Sequence, residues 1–220
     1  MFDFANNFIY FSLSIVEIVE VKNKENNSMK NRFEAQKKED FRAVVEEKLL
    51  KARTVLIYGA INQEVAQAVT EKLLILSAES KDEIKVYINS QGGHVESADT
   101  IFDMLQYCRA PIKVIGTGWV ASAGALIFVA PPKENRFCLP NTRFMIHQPL
   151  GGMSGSAVDL AIEAKEISRM KRRLNEIIAK QTGQPLERVE QDTDRNFWMS
   201  ASEAKEYGIV GQIVRSADAF

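Results

Sequence analysis

Three short runs rich in β-branched residues, "TVLIYG" (54–59), "IKVYINS" (84–90) and "IKVIGTG" (112–118), are separated by stretches long enough to hold a helix each. That alternation constrains the fold more than any other feature. A strand, a helix and a second strand in succession place the two strands parallel in one sheet, because the crossover needs the length of the helix. The intervening segments agree. In "NQEVAQAVTEKLLILSAES" (62–80), Val65, Val69, Leu73 and Leu76 recur at three- and four-residue steps; Val95, Ala98, Ile101, Phe102 and Leu105 mark one face of the next segment. "RFCLP" (136–140) and "TRFMIHQP" (142–149) supply two further short strands. The expectation is an α/β fold with a largely parallel, buried sheet, its second strand broken by "QGGHV" (91–95).

Helical patterns flank this region. Residues 33–51, "FEAQKKEDFRAVVEEKLLK", read as a charged surface helix. Leu160, Ala164, Ile167, Met170, Leu174 and Ile177/Ile178 hold helical spacing across 157–181, roughly 37 Å of helix, closed by Gly183. Such a helix either projects toward another subunit or lies across its own domain, and spacing leaves both open. Pro185 suits the first turn of a short helix, and "SASE" (200–203) is a capping-box pattern for a last helix that Gly208 stops.

Residues 1–28 stand apart. "FIYFSLSIV" (8–16) is apolar, but Asp3 precedes it, Glu17 and Glu20 interrupt it, and it is too short to span a bilayer. A removable leader and an extension upstream of a true start at Met29 both fit. In either case 1–28 lie outside the fold, and 29–220 form a single domain, since no repeat or proline-rich linker divides them. With 45% apolar and 26% charged residues the composition is that of a globular domain, and a net charge of −1 gives no reason to expect nucleic acid or an anionic membrane as partner. Cys108 and Cys138 have no metal-type spacing; a disulfide between them and two free thiols are both open, the second agreeing with a cytoplasmic location. No metal site is expected.

One polar side chain is out of place. In "GTGWVASAGALIFVA" (116–130), Ser122 is set among Gly and Ala ahead of a large apolar run. Small residues permit close backbone packing, which is the bland reading. The other is that Ser122 opens a buried helix at a strand end, where free amides and the helix dipole favour a developing negative charge. "NSQGGHV" brings a second source of bare amides in its paired glycines, and His147 in "FMIHQP" ends a strand before Pro149, suited to offering a ring nitrogen to Ser122. His94 reads as a loop residue.

"YINSQGGHV", "GTGWVASAGAL", "NRFCLPNTRFMIHQPLGG" and "EIIAKQTGQPLERVEQDTDRNFWMSASEAKEYGIV" are similar to the proteolytic subunits of Clp proteases, over about Thr54 to Val214. The resemblance implies a crotonase/ClpP-like fold with a protruding handle helix at about 150–183. It also implies a serine endopeptidase acting on unfolded polypeptide inside two stacked heptameric rings. Those rings are built of one chain or mixed with a second ClpP paralogue. They are fed by an AAA+ Clp unfoldase such as ClpX, ClpA or ClpC, which uses ATP; the subunit itself needs no cofactor. The family's nucleophile falls on Ser122, its base on His147 and its oxyanion amides on Gly93 and Ala123. Unfoldase-docking positions fall on Tyr87, Tyr107 and Phe137, and ring–ring contacts on Asp194 and Arg195.

Two departures from the family pattern stand out. Its third triad member is an aspartate, and the matching residue here is Asn196, with Asp192 and Asp194 as neighbouring carboxylates. The axial-loop pattern leading to "GER" is absent from "MKNRFEAQKKEDFRAVVEEKLL" (29–50). The amide keeps a second reading open, a weakly active or inactive ring subunit that co-assembles with an active paralogue. A crotonase-type enzyme acting on acyl-CoA is a third, for which the Ser122/His147 pairing has no use.

Overall fold

The computed structural model describes residues 37, 39, 41–149 and 154–219. Expectations for 1–28, and for the start of the handle at 150–153, lie outside the described residues. The chain divides into two units, Met1–Leu49 and Leu50–Phe220. Residues 37, 39 and 41–51 are helical (α1), the described part of the first expected helix.

The first strands of the second unit sort their side chains by parity. β1 (Thr54–Ile61) sends Val55 and Ile57 into the core and leaves Leu56 and Tyr58 exposed on the other face. Helix α2 (Gln63–Glu79) starts on Asn62, whose side chain accepts a hydrogen bond from the Val65 amide at 2.9 Å. It buries Ala66, Val69, Leu73 and Leu76, the expected stripe with Ala66 in place of Val65. β2 (Ile84–Gly93), α3 (Val95–Tyr107) and β3 (Ile112–Ala121) repeat the unit, and β1, β2 and β3 pair in parallel. The strands' inward residues and the helices' apolar stripes form one core, each fully buried Val, Leu or Ile contributing ~2 kcal/mol.

The expected break at "QGGHV" does not occur where the sequence placed it. β2 continues through both glycines, pairing Ala60 with Gly92 and Ile61 with Gly93 after a register shift that absorbs an extra residue. β3 is likewise longer than expected, running on to Ala121, and along its length it changes partner. Val114–Gly116 pair with β4 (Arg136–Cys138), while Trp119–Ala121 pair with β5 (Arg143–Ile146), both in parallel. Helix α4 (Ala123–Phe128), entirely buried, begins one residue after Ser122.

Helix α5 (Ala157–Thr182) is capped by Ser156 and ends at Gly183 in a left-handed conformation. All of residues 157–166 are exposed, Val158 at 70% and Ile162 at 56% among them, whereas Asn175 and Ile178 are buried. The first ten residues of α5, about 15 Å of helix, are therefore left uncovered, and the reading in which the helix lies across its own domain is corrected. Its C-terminus is fastened by Arg136, which the sequence did not single out. The buried guanidinium donates to Pro131 O (2.7 Å), Gln181 O (2.8 Å) and Gln181 Oε1 (2.6 Å), and burial pulls its pKa down to about 10.

The C-terminal segment completes the sheet. Pro185 sits one residue ahead of α6 (Leu186–Asp192) rather than inside its first turn. β6 (Phe197–Ser200) pairs antiparallel with β5, and β7 (Gln212–Ile213) parallel with β4; both are too short to have shown a period in the sequence. α7 (Ala201–Tyr207) carries the expected capping box between Ser200 and Glu203 and stops at Gly208.

Candidate active site

β3 delivers Ser122 into a sharp strand-to-helix turn. Its backbone has φ 55° and ψ −120°, a conformation costly for a residue with a side chain, on the order of 1–3 kcal/mol. The turn is held from both sides: the Ser122 amide donates to Met145 O at 2.8 Å, and its carbonyl accepts from the Ala125 and Leu126 amides. A strained serine raised out of a strand–helix turn is the geometry that exposes a nucleophilic oxygen.

The oxygen has partners. Ser122 Oγ lies 2.7 Å from His147 Nε2, and His147 Nδ1 lies 3.0 Å from Asn196 Oδ1. The second contact follows from one piece of topology. In the antiparallel β5–β6 ladder Ile146 faces Phe197, so His147 and Asn196 are the next pair beyond the last rung. The neighbouring carboxylates are engaged elsewhere. Asp192 accepts from Tyr207 Oη (2.9 Å) and faces Arg188, while Asp194 faces Arg195, Gln148 and Lys171. Neither takes the place of Asn196 on the ring. Burial first, then Asp192, pushes the Tyr207 phenol up.

The glycine pair lies against the serine. A side chain at Gly92 (φ +103°) would put its Cβ 2.7 Å from Ser122 Cβ and 3.1 Å from the Ala123 nitrogen; at Gly93 (φ +155°) it would collide with Ile61 O at 2.1 Å. Only glycine fits at either place, and the close approach sets the Gly92–Gly93 backbone beside the Ala123 amide. Ser90, which the sequence reading passed over, pins this turn: fully buried, its hydroxyl donates to Gly59 O (2.6 Å) and accepts from the Gly92 amide (3.0 Å). A serine two residues ahead of the glycines was the available signal. Thr193 and Asn175 were also missed. Gln148 donates its amide to Thr193 O (2.6 Å), and Thr193 Oγ1 donates to buried Asn175 Oδ1 (3.0 Å), tying the residue after His147 to α5.

Beside Ser122 and His147 opens a small cleft, continuous with solvent and lined by Val95, Ala123, Leu126, Ile146, Pro149, Leu174 and Ile178. Its wall is apolar. His94 stands at the N-cap position of α3 without a side-chain capping bond, its ring engaged by Ser97 Oγ (2.9 Å) and Glu96 Oε2 (2.8 Å). Tyr87 and Phe137 pack with Ile115 and Val214 in a second apolar cluster, with Phe137 buried, while Tyr107 is exposed at the end of α3. Arg195 is exposed beside Asp194. Cys108 and Cys138 are free thiols; burial raises both, Cys138 to about 12. Among the described residues no three His, Cys, Asp or Glu converge as metal ligands, and no helix is long and apolar enough to cross a membrane.

Comparison with known proteins agrees with this geometry. The Clp protease family matches residues 36–217. The "ATP-dependent Clp protease proteolytic subunit 3" of Rhizobium johnstonii is 57% identical over 171 residues, 78% of this chain and 88% of that protein. Solved structures of ClpP1 from Listeria monocytogenes and of its Asn-to-Asp mutant, both 55% identical, superimpose with TM-scores of 0.72 and 0.74, covering 79% of this chain and 98% of theirs. The α/β architecture is the ClpP fold, and the chain belongs to the Clp protease family.

Proposed function

We propose that this chain is the proteolytic subunit of a Clp protease, a serine endopeptidase that cleaves unfolded polypeptide by acyl-enzyme chemistry at Ser122. The observation that carries this reading is the relay from Ser122 Oγ through His147 to Asn196 at 2.7 and 3.0 Å. Asn196 Oδ1 can only accept a hydrogen bond, so Nδ1 carries the ring proton and Nε2 keeps its lone pair for the serine. Ser122 Oγ attacks the scissile carbonyl as His147 Nε2 takes its proton, and the amides of Gly93 and Ala123 receive the oxyanion. The proton then passes to the leaving amine, the C–N bond breaks, and water admitted to the ester repeats the sequence to release the acid. The apolar cavity beside Ser122 suits an apolar side chain at the residue whose carbonyl is cut.

The chain is proposed to work in two stacked heptameric rings in the cytoplasm, its own copies alone or mixed with a ClpP paralogue. An AAA+ unfoldase such as ClpX, ClpA or ClpC would spend the ATP and feed the chamber; the chemistry above draws on no cofactor. Exposed Val158, Leu160 and Ile162 on the free half of α5 support its role as the handle, with Asp194 and Arg195 at the ring–ring contact. Tyr87, Tyr107 and Phe137 are proposed to serve the unfoldase, supported by the apolar cluster on that face of the sheet. The neutral amide at Asn196 is the feature behind a second reading, a weakly active or inactive ring subunit that co-assembles with an active ClpP paralogue, which the relatives' names as proteolytic subunits do not favour.

A fluorogenic peptide with an apolar residue at the cut tests the proposal. The assembled chain should hydrolyse it, and Ser122→Ala should not. Hydrolysis only in a mixed particle selects the second reading; none in either particle refutes the peptidase.

A further inference from the structure

The triad's third contact depends on the register of a very short ladder. β6 is four residues long and pairs with β5 alone. Asn196 precedes its first residue and His147 follows the last residue of β5, so the relay is the next rung of that ladder. A slip of one residue would turn the amide to the opposite face. A carboxylate in this position would attract the protonated ring over distance. An amide supplies no charge and must act through geometry, so whatever fixes β6 on β5 fixes the base.

Two sets of contacts do so. On the core face, Phe144 faces Met199 and Ile146 faces Phe197. On the outer face, Met145 faces Trp198 and Arg143 faces Ser200, and the Arg143 guanidinium lies diagonally over the Trp198 ring, 4.4 Å from its centroid. Cross-strand diagonal contacts of this kind select one register. Trp198 is still 38% exposed and Arg143 is exposed, so burial alone does not account for their placement. Trp198 stands two residues from Asn196, and Arg143 four from His147.

We propose that Arg143 and Trp198 form a clasp that positions Asn196 on His147, and that both are positioning residues for the peptidase reaction. The proposal rests on the reading of Ser122 as nucleophile and His147 as base. Trp198→Leu and Arg143→Met should each slow acylation of Ser122 by a fluorophosphonate about fivefold, and Trp198→Phe, which restores a ring face, should keep most of the rate. In an Asn196→Asp background the losses should shrink, since charge then replaces geometry.

A second readout does not need activity. The chain has two histidines, so nitrogen-labelled histidine in solid-state NMR reports the His147 tautomer, and the Nδ1–H form should lose population in Trp198→Leu and Arg143→Met only. Unchanged rates and tautomer in both variants overturn the clasp. So does a change seen only where circular dichroism shows the fold lost, because the contact is then structural. Wild-type protein that fails to acylate refutes the peptidase reading instead, and the tautomer signal still decides the clasp.

Discussion

Restoring a carboxylate at the end of the relay isolates what the amide lacks. In Asn196→Asp the side chain keeps its place 3.0 Å from His147 Nδ1 and gains a negative charge when the ring becomes positive. Unit charges about 4 Å apart interact by about 4 kcal/mol at an effective dielectric of about 20. Asn196 is exposed, and solvent screening of exposed pairs reduces such energies toward ~1 kcal/mol. A gain of roughly 1.5 to 3 kcal/mol in the transition state follows, a rise in kcat of about 10- to 100-fold. It should be smaller than the ~10⁴ separating acid from amide where the amide also imposes the wrong tautomer, because here Oδ1 already faces Nδ1. Steady-state hydrolysis of a short fluorogenic peptide gives kcat and KM, and KM should change by less than about twofold, since the charge acts only after the proton moves. An unchanged or lower kcat in an intact particle would refute the reasoning and place the limit in assembly.

Three other perturbations probe the supports of the site. Gly92→Ala drives a methyl against Ser122 Cβ and should lower the rate of Ser122 acylation by about 100-fold or more; an unaltered rate contradicts the close approach. Val158→Asp with Ile162→Asp charges the exposed apolar side of the free half of α5 and should halve the particle mass in native mass spectrometry, whereas intact double rings refute the handle assignment. The backbone amide and then the hydroxyl of Ser200 hold the Glu203 carboxyl below its ordinary 4.5, so its stabilisation is present above that value and lost as pH falls through the lowered one. The urea midpoint of wild type should therefore exceed that of Glu203→Gln at neutral pH and converge with it as the pH falls through the lowered value; a constant gap contradicts the capping account.

The parts legible in the sequence are those with a period or a stereotyped cap. α2 and α3 appeared through their apolar stripes, α7 through Ser200 and Glu203, and the end of α5 through Gly183. Ser122 was conspicuous because a lone hydroxyl interrupted an apolar run, and His147 because it ended a strand. What escaped was set by tertiary pairing. β6 and β7 exist only because β5 and β4 offer them edges, and β2 runs through Gly92 and Gly93 because β1 accepts them across a bulge. Arg136, Ser90 and Asn175 act by hydrogen bonds to residues distant in sequence, at spacings no local pattern records. The Arg143–Trp198 stack belongs with them.

The central claim is that Ser122 is a nucleophile activated by His147. Treating assembled protein with a fluorophosphonate, digesting it and locating the adduct by mass spectrometry measures this directly. A single adduct on Ser122, lost in His147→Ala and faster in Asn196→Asp, is the predicted result. Full occupancy of Ser122 regardless of His147, or an adduct on another serine in its place, would contradict it.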